Sequence, residues 1–100
     1  MIQGTTPTHT FTLPFDTSLL TSARIIYSQN EKIILKKELS DCECSGNTIS
    51  CKLTQEETFL FVHPKTVQIQ IRVLTDGGDA LNSDIETVPC KMCLDDEVLV

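Results

Sequence analysis

Apolar and polar residues alternate along much of this chain with the two-residue period of β-strands. A run at 8–13 turns threonines to one face and apolar or aromatic residues to the other, and the run at 67–75 alternates most regularly. The runs at 21–28 and 32–37 contain adjacent apolar residues, which is typical of strands near the centre of a sheet or covered on both faces. The pattern therefore predicts a sheet protein.

A tight hairpin is predicted in the middle of the chain. The dipeptide Gly-Asn at 46–47 separates two short alternating runs and favours a two-residue loop. In that register Cys44 lies opposite Ile49, and Cys42 lies opposite Cys51. All four side chains then share one face, which we predict to be the core face.

One helical turn is predicted after this hairpin. Thr54 and Glu57 have the spacing of a capping box, in which each side chain accepts a hydrogen bond from the other residue's backbone N–H. The apolar residues that follow extend only a short way before His63-Pro64, so we expect a crossover between sheets and not a long helix.

The register of the last two long strands is predicted from charge. A loop with an odd number of residues between 67–75 and 81–88 keeps Asp84 in water, whereas a two-residue loop turns it into the core. With a loop at 77–79 or 76–80, Ile71 lies opposite Ile85.

These elements predict an all-β fold: an immunoglobulin-like antiparallel β-sandwich of about seven strands with one short helical crossover turn. A small barrel is the alternative. With 100 residues the chain is expected to form one domain, 1–100, whose tail at 89–100 is flexible or bound to a partner.

Charge and composition narrow the function. A net charge of −6 without a basic cluster disfavours nucleic-acid binding. No apolar run reaches the length of a membrane span and no signal peptide is recognised, so we expect a protein of the cytoplasm without membrane contact.

Cysteines are the candidate ligands for a zinc ion. Cys90 and Cys93 have metal-ligand spacing, and Cys42 and Cys44 could complete a four-thiolate zinc site. The hairpin register instead makes the central cysteines small buried hydrophobic residues. We expect no bound metal or cofactor, reduced thiols and no catalytic residues, because neither His9 nor His63 belongs to a recognisable nucleophile motif.

Short motifs are spread over roughly residues 2–88, at 2–7, 46–49, 53–58, 67–73 and 83–85. In these motifs the chain resembles small uncharacterised proteins of Firmicutes prophages. Its layout is also similar to the N-terminal immunoglobulin-like domain of phage baseplate upper proteins. Baseplate upper proteins continue into a further stalk or receptor-binding region, so the resemblance implies a lone module here.

The resemblance implies a non-enzymatic structural component of a phage or prophage particle, in the tail, baseplate or head-neck adaptor. Its partners would be other phage structural proteins and further copies of itself. It would reside in the bacterial cytoplasm during assembly and then in the virion. The alternative is a free-standing adhesion or carbohydrate-binding sandwich, against which the low aromatic content counts.

Overall fold

The computed structural model describes all of residues 1–100 and contains eight strands and one α-helical turn. In chain order these are β1 (Thr8–Thr12), β2 (Leu20–Gln29), β3 (Lys32–Glu38), β4 (Glu43–Ser45), β5 (Thr48–Lys52), α1 (Gln55–Thr58), β6 (Val67–Thr75), β7 (Ala80–Asn82) and β8 (Glu86–Val88).

Two antiparallel sheets bury their apolar faces against each other. The smaller sheet has the strand order β1-β5-β4. The larger sheet has the order β3-β2-β6, and both β7 and β8 pair with the outer side of β6. The predicted all-β sandwich is confirmed. Within it, β2 and β3 are neighbours in one sheet, whereas the corresponding strands of an immunoglobulin domain belong to different sheets.

The core is built mainly on β2 and β6, which pair along most of their length. Val67, Ile69, Ile71 and Val73 are buried as the alternation predicts. The alternate residues of β2 are buried to the same degree, and Tyr27 is fully covered. The central position predicted for 21–28 is therefore confirmed. The same prediction for 32–37 is wrong, because β3 is an edge strand.

The hairpin of β4 and β5 has the predicted two-residue loop. Cys44 lies opposite Ile49, and continuing the same register brings Cys42 opposite Cys51. Ile49 and Cys51 are buried, Cys42 is half-buried, and Cys44 is exposed. The prediction that Cys44 belongs to the core is wrong, because β4 is a short strand at the edge of the smaller sheet and the larger sheet does not cover this residue.

The helical turn has the predicted capping box. The Thr54 hydroxyl accepts from the Glu57 N–H at 3.2 Å, and the Glu57 carboxylate accepts from the Thr54 N–H at 2.8 Å. The buried hydroxyl of Thr58 donates to the carbonyl of Thr5 at 2.9 Å, which attaches the N-terminal segment to α1.

The predicted strand at 81–88 is interrupted. Its loop, 76–78, has an odd number of residues as expected, and Asp84 is exposed. The register differs by two residues, because Ile71 lies opposite Ser83 and not opposite Ile85. The Ser83 hydroxyl accepts from the Ile71 N–H at 3.1 Å and so replaces a backbone partner in the ladder. An extra residue follows before Glu86 pairs with Ile69, and Ile85 is left 61 % exposed.

The start of the tail is attached to the N-terminus. Ile2 and Lys91 form a parallel bridge, and the N–H of Lys91 donates to the carbonyl of Met1 at 2.8 Å. Cys90 is buried beside this bridge, and the Gln55 side chain holds the backbone of Leu99 through two hydrogen bonds. Leu94 and Val100 are exposed.

Candidate functional site

The outer edge of β1 carries backbone groups that no other strand of the chain uses. Leu13 donates its N–H to Asn47, and Leu53 donates to Pro7, so the odd-numbered residues of this segment bond to the β5 side. The regular register between β1 and β5 then turns the N–H and C=O groups of Thr8, Thr10 and Thr12 away from β5. These threonines are exposed, and their backbone groups form a free ladder edge.

Beside this edge the larger sheet extends further than the smaller one. Leu81 lies directly opposite Val73 in the β6–β7 pair, so both side chains project from the inner face. Val73 is 7 % exposed, but Leu81 is 43 % exposed. The inner face of β7 is therefore only partly covered by the smaller sheet, and a position for one more strand is open beside β1.

A groove of about 400 Å³ occupies that position. One wall is formed by β1 and the segment after it, including Phe11 and Phe15, and the floor includes Ile71 and Leu81. Half of the lining residues are hydrophobic, and the backbone of β1 supplies unpaired donors and acceptors along the upper rim. We call this groove, together with the free β1 edge, the edge groove.

Glu86 is the single charged residue in the lining of the edge groove. It lies opposite Ile69 in the β6–β8 pair, which puts it on the inner face. It is exposed, so water solvates the carboxylate while nothing else in the chain pairs with it. The groove therefore presents a group of apolar side chains beside one negative charge.

His9 lies on the inner face of β1 and is anchored to the core. Its Nδ1 and the Tyr27 hydroxyl are 2.7 Å apart and share a hydrogen bond, and the two rings pack with centroids 5.4 Å apart. Burial lowers the pKa of His9, the positive N-terminus lowers it further, and Glu86 partly opposes the shift. Burial also raises the pKa of Tyr27, so the phenol keeps its proton.

The lowered pKa of His9 predicts a dependence of stability on pH. His9 takes up a proton below about pH 6.5 in the unfolded chain, but only at lower pH in the folded chain. Protonation therefore favours the unfolded state, and the free energy of unfolding should fall as the pH drops from about 7 towards 5.5. Urea melts of His9→Gln should show a weaker dependence in this window. The matched control, His63→Gln at an exposed site, should keep the dependence of the natural chain, and an unchanged His9→Gln profile would contradict the assignment.

The four zinc candidates stand in different surroundings. The Cys42 thiol donates to the carbonyl of Glu38 at 3.3 Å and lies opposite Cys51, and Cys44 is exposed on β4. Cys90 is buried near the N-terminus, and Cys93 is half-buried beside Gly4. The structure contains no group of three or more His, Cys, Asp or Glu side chains arranged to hold one metal ion.

The paired thiols of Cys42 and Cys51 are not activated as nucleophiles. Burial and the neighbouring Cys51 raise the pKa of Cys42 to about 12. Burial also raises the pKa of Cys51, an effect that Lys37 partly opposes. Lys37 is itself paired with Glu57. Because only a thiolate attacks electrophiles efficiently, both sulfurs are expected to be unreactive at neutral pH.

Thiol labelling should therefore separate the cysteines by exposure. With a chromogenic disulfide reagent at pH 7 the native chain should show a fast phase from Cys44, and Cys51 and Cys90 should react only on unfolding. Cys44→Ser should remove the fast phase, and Cys90→Ser should retain it. A fast phase that survives in Cys44→Ser would show that another thiol is accessible.

The remaining sheet edges carry features that discourage pairing with another chain. β3 contains several lysines, β4 has only three residues, and the edge formed by β7 and β8 is broken by the segment 83–85 and carries acidic residues. Natural sheets use charge, short length and bulges in this way to prevent edge-to-edge association. β1 has five residues, and none of them carries a charged carboxylate, lysine or arginine.

Sequence reasoning placed the inner face of β1 correctly but missed the edge groove. The signal that could have indicated a free edge is the uncharged strand between Pro7 and Pro14, which contrasts with the lysines of β3. The strand pairing that leaves Leu81 uncovered is a property of the tertiary fold and has no counterpart in the local pattern.

No helix in the structure has the length and apolar character needed to cross a lipid bilayer. Comparisons of the chain with protein-family models, with curated proteins and with solved structures give no match.

Proposed function

We propose that this chain is a non-enzymatic structural component of a phage or prophage particle and that it acts by binding neighbouring proteins. The observation that carries the proposal is the edge groove, in which an unprotected strand edge adjoins an apolar depression. Strand edges and adjacent side-chain pockets are the means by which many β-domains take up other polypeptides. The phage particle, as the place where this binding occurs, is inferred from the resemblance to prophage and baseplate proteins.

The surroundings of the reactive side chains support a binding role. The thiols of Cys42 and Cys51 stay protonated, and Nδ1 of His9 is engaged by the buried Tyr27 hydroxyl. General base or nucleophilic catalysis needs such groups to be free and aimed at a substrate. In this chain the contact between His9 and Tyr27 joins the two sheets, and Cys51 is part of the core.

The net charge of −6 fits a partner that is a protein and not a nucleic acid. Carbohydrate recognition, the alternative, commonly uses exposed aromatic rings. Here the single tyrosine, Tyr27, is fully buried, and Phe11 and Phe15 are half-buried in the edge groove. The assembly role is therefore the better supported of the two. In that role the chain resides in the bacterial cytoplasm before assembly and in the virion afterwards.

The proposal is tested on particles from the bacterium that encodes the chain. Prophage induction, purification of particles on a density gradient and quantitative mass spectrometry should recover the chain at a fixed ratio to the major tail or capsid proteins. Deleting its gene should yield particles that lack a substructure under the electron microscope. Absence of the chain from purified particles, together with normal particles from the deletion strain, would overturn the proposal.

A further inference from the structure

We infer that the edge groove binds an extended segment of a partner protein, which adds to the smaller sheet as a fourth strand beside β1. This inference rests on the proposed binding function and specifies the chemistry of the partner. The partner segment is expected to place aliphatic side chains opposite Phe11 and Leu13 and a basic side chain opposite His9, close to Glu86.

The backbone of β1 provides the hydrogen bonds for such a strand. Thr8, Thr10 and Thr12 each direct an N–H and a C=O away from β5, at the spacing that an antiparallel or parallel neighbour requires. No proline or charged side chain interrupts these five residues. An added strand would therefore satisfy backbone groups that are now available only to water.

The side-chain pattern of the partner follows from the geometry of the edge groove. In a strand added beside β1, the residues opposite His9, Phe11 and Leu13 share their inward direction. Those opposite Phe11 and Leu13 would enter the apolar depression above Leu81 and beside Phe15. Residues opposite the threonines would face solvent and can be polar.

The overhang of the larger sheet favours an isolated segment over a second copy of this sandwich. If β1 of a second copy occupied the open position, the second copy would bring its own larger sheet to the same level as β7. Leu81 and the neighbouring β8 already occupy the space beneath that position. A segment that is not backed by a sheet of its own meets no such obstacle.

Charge favours a basic partner segment over the acidic tail of a second copy as the occupant of the edge groove. Glu86 is the charged residue of the lining, so a basic side chain at the position opposite His9 gains an attractive interaction. The tail of a second copy carries Asp95, Asp96 and Glu97 directly before its last apolar residues and would bring like charges to Glu86. A basic-aliphatic segment of another protein is therefore the occupant that the edge groove fits.

The test uses defined synthetic peptides and the full-length chain. The probes are the capped peptide Thr-Val-Thr-Val-Thr-Lys-Thr and its reversed sequence, which provide the antiparallel and parallel alignments. In the control peptide both valines are replaced by aspartates. Amide hydrogen exchange is followed by NMR. At saturating concentration one valine probe should slow exchange at Thr8, Thr10 and Thr12 by about tenfold or more, and the control peptide should not.

Two variants locate the effect. Leu81→Asp should abolish the protection by placing a charge in the groove floor, whereas the matched Ile33→Asp on the β3 edge should retain it. Thr10→Pro gives a second test that leaves the core intact, because the N–H that it removes points away from β5. It should also abolish protection of the neighbouring threonines.

Protection by a valine probe at β3 in place of β1, or no protection by either valine probe, would overturn the inference. Slow exchange of the three threonines without peptide, increasing with protein concentration, would also overturn it by identifying a second copy as the occupant. These results concern the isolated chain, whereas the proposed function is tested on purified particles. The two can therefore fail separately.

Discussion

Replacing Gln29 with leucine is expected to lower the free energy of unfolding by about 2–4 kcal/mol. Gln29 is 3 % exposed on β2, and its amide connects this strand to the loop after α1. The Nε2 group donates to the carbonyls of Val62 at 2.8 Å and Lys65 at 3.2 Å, and Oε1 accepts from the Val62 N–H at 2.8 Å. Leucine fills a similar volume but leaves these three backbone groups without their partner.

The matched control is Gln68→Leu on the face of β6 that points away from the core, where the amide bonds only to the Thr66 hydroxyl. This change should alter stability by no more than about 0.5 kcal/mol in urea melts. Limited proteolysis should also cut the segment 62–66 faster in Gln29→Leu than in the natural chain. A loss below about 1 kcal/mol for Gln29→Leu would show that the loop does not depend on this amide.

Phe61→Ala is expected to cost about 3–5 kcal/mol, the usual range for removing a buried aromatic ring. Phe61 is 1 % exposed and packs edge-on against Tyr27, with the ring centroids 6.0 Å apart. The variant leaves a cavity next to the Tyr27 ring, whose hydroxyl anchors His9. The effect should therefore extend to the inner face of β1.

Leu60→Ala is the control for this change. The neighbouring Leu60 is 53 % exposed, so its truncation should cost less than about 1 kcal/mol. Denaturant melts of the two variants should differ by several-fold in the loss of stability. Equal losses would mean that the segment after α1 packs with the opposite side facing the core.

The local sequence pattern was sufficient to predict the structure where a residue's conformation is determined by its neighbours along the chain. The strict alternation of β6, the Gly-Asn loop of the β4–β5 hairpin and the capping box at Thr54 were all predicted and are all present. In each case the sequence signal and the tertiary environment favour the same structure.

The pattern was insufficient where a side chain competes with the backbone ladder. Alternation alone predicts one continuous strand over 81–88, with Ile85 inward. The Ser83 hydroxyl takes the N–H of Ile71, and the chain after it gains one residue relative to β6. A serine in a strand does not by itself predict this, because its hydroxyl can equally face water.

The candidate site was only half predictable for a related reason. The inward face of β1, with His9 and Phe11, follows from the period of two. Whether a strand lies at the centre or the edge of a sheet depends on partners that are distant in sequence. For the same reason the apolar run of β3 suggested a central strand, although β3 is an edge strand in the structure.

Residue-resolved amide exchange of dilute protein shows directly whether β1 is a free edge in the isolated chain. If the edge is free, the exchange rates should alternate along the strand. The N–H groups of His9, Phe11 and Leu13 should exchange slowly, because they bond towards β5 and its hairpin, and those of Thr8, Thr10 and Thr12 should exchange rapidly. Uniformly slow exchange across residues 8–13, or slow exchange at the threonines alone, would show that the outer edge of β1 is not free.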